Sequence, residues 1–335
     1  MRFREALPAL FLALAVGDLD AQTRSMAQDS ALDNLRHPRG VETAALGTLG
    51  HVRKVGEGSR TMLLIPGIGF GDNIWTEFME RHRTEYTMYA ITLPGFGGTP
   101  PLPMPPDGST FAETPWIGSA RQALEGLLDK EHIARVIIVA HWGLATQIAL
   151  RLALDHPDRV EAVVLIGGVL KSYYDNTPAM MAWTSEQRAR ASEGLGRSWF
   201  RTVTRQTWDD NNFMSYDYAT NPRRGLVLWR DAQAPLLSVW IRYLLEFYSI
   251  DLTPSLKTLR VPTLVVQPGF DDPAFYVEPG WNYMRSLCLD SWSGAAAASD
   301  RLEFVTIPRS RLFVMYDQPE ALDLAIARFL RRQKP

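Results

Sequence analysis

Residues 136–157 read VIIVAHWGLATQIALRLALDHP and contain three different local patterns. Residues 136–140 are apolar and mostly β-branched, which favours a buried strand. Residues 144–155 are rich in leucine and alanine and favour a helix. We expect this helix to end before His156-Pro157, because proline disfavours helical backbone in the residue before it. Only residues 141–143 remain for the connection, so the stretch predicts a buried strand that turns sharply into a helix.

Strand and helix patterns alternate along residues 41–168. From Val41 the pattern is strand-like, with turns at Gly47, Gly50 and residues 56–58. Further strand patterns cover residues 61–65, 86–93, 136–140 and 160–166, and helix patterns cover residues 75–83 and 120–129. This alternation predicts an α/β fold, in which a mainly parallel sheet is flanked by helices on both faces.

The pattern changes at residue 169. Residues 169–255 are compatible with helices, show no strand alternation and hold half of the ten tryptophans of the chain. These five are Trp183, Trp199, Trp208, Trp229 and Trp240. Strand patterns return at residues 261–266 and 302–307, before a helix pattern at residues 319–331. We therefore predict a core in two parts, residues 41–168 and 256–335, with a helical insertion at residues 169–255.

Length, charge and cysteine content exclude several classes of protein. A chain of 335 residues that is 46% hydrophobic can bury one large core, or a core with an inserted lobe. Its net charge of −2 gives no basis for binding nucleic acid or an anionic membrane. Cys288 is the only cysteine, which excludes an internal disulfide and a thiol set for zinc, and we interpret it as a buried thiol. The sequence indicates no cofactor and no metal site.

The N-terminal residues resemble an export signal. Residues 1–4 include two arginines, residues 6–16 are apolar, and small residues suited to cleavage follow at 15–17 and 19–21. We expect a signal peptide at residues 1–21, a flexible leader at residues 22–40, and a secreted or periplasmic protein. The alternative is a frayed N-terminal helix. No other stretch is long and apolar enough to predict a membrane span.

Five segments match the motifs of one known family in the expected order. Residues 63–75, LLIPGIGFGDNIW, resemble "H-G-x-G…W" with Pro66 in place of the histidine, and residues 89–98, YAITLPGFGG, resemble "D-L-P-G-F-G-x-S" with Thr92 in place of the aspartate. Residues 136–157 resemble "V-G-H-S-x-G-G-x-x-A-L-R-x-A-x-x-H-P". Residues 262–273, PTLVVQPGFDDP, resemble "G-x-x-D-P", and residues 307–320, IPRSRLFVMYDQPE, resemble "G-H-F-x-x-x-x-x-P-E". Over roughly residues 41–332, the chain thus resembles the α/β-hydrolase fold superfamily in its cap-bearing branch, where residues 169–255 correspond to the cap.

The resemblance implies a catalytic triad of which two members are replaced. In the family, a nucleophile at the strand–turn–helix elbow is followed along the chain by an acid and then a histidine. Gly143 stands at the nucleophile position, Leu312 stands at the histidine position, and Asp272 matches the acid. No histidine follows His156, so the histidine is missing whatever register is chosen at the elbow. Because glycine has no side chain and leucine accepts no proton, the chain resembles a hydrolase that lacks its chemistry.

The resemblance also implies that the rest of the site persists. The oxyanion hole of the family consists of backbone N–H groups, which here belong to Leu144 and to the turn at Ile68-Gly69. Gly, Trp and Leu in place of polar catalytic groups make the former active site more apolar. We expect an apolar pocket that is lined by Leu312 and one or two aromatic residues of the cap. The other residues assigned to this site are Phe70, His141 and Trp142.

Other interpretations of individual residues stay open. Epoxide hydrolases and haloalkane dehalogenases carry "H-D-W-G", which residues 141–143 match with the aspartate nucleophile deleted. Thr146 and His141 are either a reactive pair, or a hydroxyl near the helix start and a packed polar residue. Asp271 and Asp272 are either a vestige of the catalytic acid or turn residues that precede a proline.

Three functions are compatible with these residues. The first is a non-catalytic pseudo-hydrolase that binds a small apolar ligand, or a partner, in the former active-site cleft. The second is an active hydrolase of esters or similar bonds with a non-standard nucleophile. The third is a structural or interaction module in which the pocket has filled in.

We predict that the mature chain begins near Asp18 or Gln22, because small residues follow the apolar run at both places. N-terminal sequencing of protein recovered from the periplasm or the medium measures the start directly. Exported protein that still begins at Met1 would contradict the prediction.

Overall fold

A seven-stranded sheet lies at the centre of the protein, in the order β1-β3-β2-β4-β5-β6-β7. The computed structural model describes residues 40–106, 108–173, 177–271 and 283–333. The strands are β1 (His51–Val55), β2 (Arg60–Ile65), β3 (Tyr86–Thr92), β4 (Val136–His141), β5 (Val160–Ile166), β6 (Thr263–Pro268) and β7 (Leu302–Ile307). β1 pairs antiparallel with β3, and the pairings between all other neighbours are parallel. This confirms the predicted mainly parallel α/β fold.

Helices flank the sheet and fill the insertion between β5 and β6. The first part of the core contains α1 (Thr76–His82), α2 (Pro115–Lys130) and α3 (Leu144–Asp155). The insertion contains α4 (Pro178–Met181), α5 (Ser185–Thr202), α6 (Arg205–Asn211), α7 (Ser215–Tyr218), α8 (Pro222–Gln233) and α9 (Leu237–Tyr248). The second part of the core contains α10 (Tyr283–Leu289), α11 (Ala295–Ala298), α12 (Val314–Asp317) and α13 (Pro319–Arg332). Short 3₁₀ turns lie at Asp72–Trp75, Phe111–Glu113, Thr253–Thr258 and Asp290–Trp292.

The middle strands carry the core of the protein. Every residue of β4 is buried, and β5 is buried except at Glu161. Interior strands of a parallel sheet are covered by helices on both faces, which is why their sequences are almost continuous apolar runs. The carboxyl ends of these strands face the helical insertion, so the site described below lies between the sheet edge and the insertion.

The segment before β1 is not a strand, which corrects the interpretation of residues 41–50 as strand-like. The structure places the first strand at His51–Val55. The backbone N–H of Ala44 donates to the carbonyl of Pro101, and that of Gly47 donates to the hydroxyl of Ser119. These donors are used by a loop and a helix, and among the described residues before β1 only Gly50, next to β1, donates to β3, at the carbonyl of Thr92.

Helix α2 begins at Pro115, five residues before its predicted start at residue 120. The carboxylate of Glu246 accepts hydrogen bonds from the backbone N–H groups of Trp116 and Ile117, and it also pairs with Arg242. A carboxylate at a helix N-terminus satisfies unpaired N–H groups and complements the helix dipole. Because Glu246 lies in α9, far along the chain, the local sequence of α2 does not reveal this cap.

Some sequence-based predictions lie outside the described residues. These are the signal peptide at residues 1–21, the leader at residues 22–39 and the acid Asp272. Among the described helices, none combines the length and the apolarity needed to cross a lipid bilayer.

Two glycines in α5 should respond oppositely to substitution by alanine. A Cβ at Gly194 meets no atom within 4 Å, whereas a Cβ at Gly196 would lie 2.4 Å from Cε2 of Phe111. Gly194→Ala should raise the free energy of unfolding by about 0.5–1 kcal/mol, because alanine favours helix. Gly196→Ala should lower it by about 1–3 kcal/mol, because the added methyl group overpacks the interface. Urea denaturation of the two variants measures both changes, and a loss of stability in both would contradict the packing at Gly194.

Candidate functional site

The elbow after β4 has strained backbone at two consecutive residues. β4 ends at His141, α3 starts at Leu144, and only Trp142 and Gly143 connect them. Trp142 has φ = 54°, and Gly143 has φ = 51° with ψ = −118°. A positive φ is sterically unfavourable for residues with a Cβ and is tolerated by glycine. The predicted sharp strand–turn–helix is therefore present, with glycine at its tip.

Open space lies next to the tip of the elbow. A Cβ built at Gly143 meets no atom of the described residues within 4 Å, apart from its two chain neighbours. The position therefore has room for a side chain, and its glycine is not required by close packing. Gly143 is instead part of the wall of a cleft between the sheet edge and the insertion.

The turn after β2 faces the elbow and needs glycine for a steric reason. The N–H of Phe70 donates to the carbonyl of Gly67, which closes the turn. Gly69 has φ = 87°, and a Cβ there would lie 2.4 Å from Cζ2 of Trp240. The backbone N–H groups of Ile68 and Leu144 donate to no acceptor among the described residues. These two groups are the donors that the family resemblance assigns to an oxyanion hole.

His141 is buried at the end of β4 and is held by a backbone carbonyl. Its Nε2 lies 3.2 Å from the carbonyl oxygen of Leu312. Because a carbonyl only accepts, Nε2 carries the proton, and Nδ1 has no hydrogen-bond partner in the described part of the chain. Burial lowers the pKa of His141 to about 3, although the Leu312 carbonyl opposes that shift. The imidazole is therefore neutral at physiological pH and connects two segments of the core.

The structure does not bring His141 and Thr146 together as a reactive pair. The hydroxyl of Thr146 accepts a hydrogen bond from the N–H of Val169 at 3.0 Å. The ring of His141 instead packs against aromatic side chains, with its centre 4.3 Å from that of Phe313 and 6.4 Å from that of Trp75. Both residues have structural partners, which favours the packed interpretation.

Leu312 is fully buried and does not line the cleft, contrary to the prediction. Its N–H donates to the carbonyl of Asp217, and the N–H of Phe313 donates to the carbonyl of Tyr218. These bonds join the loop after β7 to α7 of the insertion. The side chain of Leu312 packs towards Gly167, where a Cβ would lie 3.0 Å from its Cδ1. It thus fills space in the core, at the position that the motif resemblance assigns to the histidine.

The two aspartates after β6 are only partly described. Asp272 lies outside the described residues. Asp271 is exposed, and its Oδ1 accepts a hydrogen bond of 2.6 Å from the N–H of Arg309. This bond connects the loop after β6 to the loop after β7, which supports a turn-forming role for Asp271.

A cleft that offers about 60 Å³ to the centres of water-sized molecules lies between the elbow and the insertion. Seven aromatic residues line it: Trp142, Trp208, Tyr218, Trp240, Phe247, Tyr248 and Tyr283. Its other lining residues are Ile68, Gly143, Val169, Ser172, Asn212, Met214, Gln233, Leu244, Met284 and Leu287. No charged side chain occurs among these described lining residues. Phe70, which we expected in the wall, is instead buried behind it, with its ring 5.8 Å from that of Tyr218.

Hydrogen bonds fix the tryptophans of the cleft wall. The indole N–H of Trp208 donates to Oε1 of Gln233 at 3.0 Å, and that of Trp240 donates to the carbonyl of Ala232. The sequence singled out both tryptophans as part of the insertion but gave no sign that Tyr218 or Tyr248 would join them. Tyr218 reaches the cleft through its contact with the loop after β7, which only the tertiary structure defines.

Cys288 is a buried thiol, as predicted. Its Sγ lies 3.6 Å from the carbonyl oxygen of Gly167, and burial raises its pKa well above the usual range. A thiol kept protonated in this way is a poor nucleophile. Within the described part of the chain, no three His, Cys, Asp or Glu side chains are grouped to hold a metal ion.

Comparison with known proteins assigns the chain to a family. The profile of the alpha/beta hydrolase family matches residues 62–323. The chain belongs to the alpha/beta hydrolase family. The pimeloyl-[acyl-carrier protein] methyl ester esterase of Aeromonas hydrophila is 24% identical over 268 residues, which cover 76% of this chain and 96% of that enzyme. A 2-hydroxy-6-oxononadienedioate/2-hydroxy-6-oxononatrienedioate hydrolase of a Pseudomonas species is 27% identical over 125 residues, which cover 35% of this chain and 40% of that one.

Solved structures of other alpha/beta hydrolases share the fold at low sequence identity. A thermophilic esterase from Thermogutta terrifontis gives a TM-score of 0.59 at 18% identity and covers 85% of this chain and 94% of that chain. A hydrolase from Pseudomonas aeruginosa gives 0.60 at 17% identity and covers 83% and 93%. The enol-lactonase from Burkholderia xenovorans gives 0.56 at 18% identity and covers 84% and 96%. At such identities the likeness shows the fold alone.

His141 should make the stability of this alpha/beta hydrolase sensitive to acid. Its pKa in the folded state, about 3, lies below the unfolded value of about 6.5. The unfolded state therefore binds a proton first, and the contribution of the neutral imidazole is complete above pH 6.5 and is lost as the pH falls towards 3. Between pH 7.5 and pH 5, the wild type should lose about 2 kcal/mol more free energy of unfolding than His141→Gln.

Urea denaturation at the two pH values measures this difference. Glutamine retains an N–H donor for the Leu312 carbonyl but does not titrate. His132→Asn serves as the matched control, because His132 is exposed and has the positive φ that asparagine tolerates. Equal pH dependence of the wild type and His141→Gln would show that the imidazole is not held neutral.

Proposed function

We propose that this chain binds a small apolar molecule in the cleft and does not hydrolyse esters by the nucleophile–histidine route of its family. The observation that carries the proposal is Gly143, which occupies the strained tip of the elbow, borders the cleft and has no side chain. Acyl transfer at this position requires a hydroxyl, thiol or carboxylate that attacks the substrate. A cleft that lacks this group can still bind.

The described part of the site also lacks a histidine that could activate a nucleophile. The chain has no histidine after His156, and Leu312 stands where the family has its histidine. His141 is close in sequence to the elbow, but its Nε2 donates to a backbone carbonyl and its burial keeps it neutral. Loss of the nucleophile or the base of a triad lowers kcat by roughly 10⁶, and loss of both lowers it little further.

The cleft has the properties of a ligand site. Ligand pockets are concave, mainly apolar and contain few polar groups, and aromatic side chains dominate this one. The open space at Gly143 argues against a filled-in pocket. The names of the relatives suggest ester-like ligands. They do not suggest esterase activity for this chain, because it differs from the family pattern at the reacting positions.

Hydrolysis by an unrecognised nucleophile remains the second candidate. The observation that favours it is that the N–H groups of Ile68 and Leu144, which the family resemblance assigns to an oxyanion hole, have no acceptor among the described residues. Such donors alone supply a residual rate enhancement of roughly 10³–10⁴ in an enzyme whose triad is removed. The two candidates differ in whether wild-type protein reacts with ester-like probes.

The test compares the wild type with Gly143→Ser, Leu312→His and the double variant. Each protein is incubated with short- and medium-chain aryl esters and with a serine-reactive phosphonate probe, and its melting temperature is measured with and without small apolar molecules. We expect ligand-dependent stabilisation of the wild type without turnover or labelling, because a ligand that binds the folded state stabilises it by mass action.

The double variant serves as the positive control. Gly143 has room for a serine, whereas the side chain at position 312 packs in the core towards Gly167, so esterase activity and labelling are expected in the double variant only, and there only where the histidine turns towards the cleft. Each single variant lacks one of the two groups, and Gly143→Ser should also cost about 1 kcal/mol in backbone strain. Ester turnover or probe labelling by the wild type would refute the proposal and favour the second candidate.

A further inference from the structure

The wall of the cleft contains a tyrosine whose hydroxyl has no partner among the described residues. Tyr218 is 2% exposed and lines the cleft, and no described residue accepts from or donates to its hydroxyl. Burial, and secondarily the charge of Asp217, raise the pKa of Tyr218 well above its usual range. The phenol therefore stays protonated and is available as a hydrogen-bond donor.

Other tyrosines in the protein are satisfied by the protein itself. The hydroxyl of Tyr243 donates to the carbonyl of Pro94, that of Tyr316 to the carbonyl of Ile74, and that of Tyr89 to the carboxylate of Glu131. Buried tyrosines usually find such a partner, because an unpaired buried hydroxyl is unfavourable. Tyr218 differs from these three in that it borders the cleft.

The backbone holds Tyr218 in place independently of its hydroxyl. The carbonyl of Tyr218 accepts from the N–H of Phe313 at 2.9 Å, and its ring packs at 5.8 Å from the rings of Phe70 and Phe313. A donor held in this way is preorganised, so a ligand does not have to order it on binding.

A second donor lies beside the first. The indole N–H of Trp142 is buried and has no acceptor among the described residues, and the ring centres of Trp142 and Tyr218 are 6.4 Å apart. The described lining residues include no Asp, Glu, Lys or Arg that could neutralise a charged ligand. Transfer of an unpaired charge into such a site is far more costly than transfer of a neutral dipole. The aromatic walls of Trp208 and Trp240 suit a flat ring.

We propose that the cleft selects a neutral, ring-containing molecule with a hydrogen-bond acceptor oxygen, such as a ketone, and that the hydroxyl of Tyr218 donates to that oxygen. This inference rests on the proposed ligand-binding function and adds the chemical class of the ligand. It assigns to Tyr218 the role of a specificity-determining residue and gives the oxygen of the ligand a fixed place next to the elbow.

The test uses three probes of similar size: indane, its ketone 1-indanone, and benzoate as an anion. Affinities are measured by ligand-observed NMR titration of the full chain. Tyr218→Phe removes the donor and keeps the ring, so it should weaken 1-indanone about fivefold and leave indane unchanged. Benzoate should bind more weakly than 1-indanone to the wild type.

Tyr243→Phe is the matched control. Tyr243 is equally buried but does not line the cleft, and its hydroxyl has a protein partner. This variant should keep both affinities and lower the melting temperature, because the Pro94 carbonyl loses its donor. Tyr218→Phe should not lower the melting temperature, since no hydrogen bond within the protein is lost.

The outcomes separate this inference from the function on which it rests. Equal affinities of wild type and Tyr218→Phe for 1-indanone, with indane still bound, would overturn the role of Tyr218 and leave the ligand-binding function standing. Benzoate bound more tightly than 1-indanone would overturn the selection for neutral ligands. No binding of indane or 1-indanone to the wild type would overturn both proposals.

Discussion

The turn at the end of β4 is the constraint on which the site depends. β4 lies between β2 and β5 with every residue buried, so the chain must leave the sheet abruptly and enter α3 after two residues. This requires left-handed backbone at Trp142 and Gly143. A side chain in such a conformation costs of order 1–3 kcal/mol, and glycine avoids most of that cost. In a catalytic elbow, such a strained turn presents a nucleophilic side chain. Here glycine is at the tip of the turn and presents none.

The hydrogen bond between His141 and Leu312 joins the two regions that carry the nucleophile and the histidine in a catalytic triad of this family. On one side lies the end of β4, and on the other lies the loop after β7. The imidazole is surrounded by the rings of Phe70, Trp75 and Phe313, which exclude water and keep it neutral. Packing and one neutral hydrogen bond therefore stabilise the base of the cleft. The same surroundings make proton transfer through His141 unfavourable.

The sequence predicted the parts of the structure that depend on local pattern. The buried runs at residues 136–140 and 160–166 and the helix after the elbow follow from composition and periodicity alone, and the order of the motifs was enough to predict the fold. The start of α2 was missed because its cap, Glu246, comes from a distant helix. The prediction that Leu312 lines the cleft was wrong because side-chain direction in a loop depends on its partner, here α7. Tyr218 was missed for the same reason.

Packing accounts for the large side chains of the cleft wall but not for all of its polar groups. Removal of large side chains such as Trp208 or Trp240 would open cavities that cost roughly 3–5 kcal/mol, so these residues are needed for stability whatever the cleft binds. Loss of a nucleophile opens no such cavity and does not lower the free energy of unfolding in this way. A cleft can therefore persist after its catalytic residues are lost. The hydroxyl of Tyr218 and the indole N–H of Trp142 are different, because neither has a partner among the described residues, and an apolar ring would fill nearly the same space without a polar group to satisfy. Stability alone does not account for these two donors, whereas an acceptor atom on a bound ligand does.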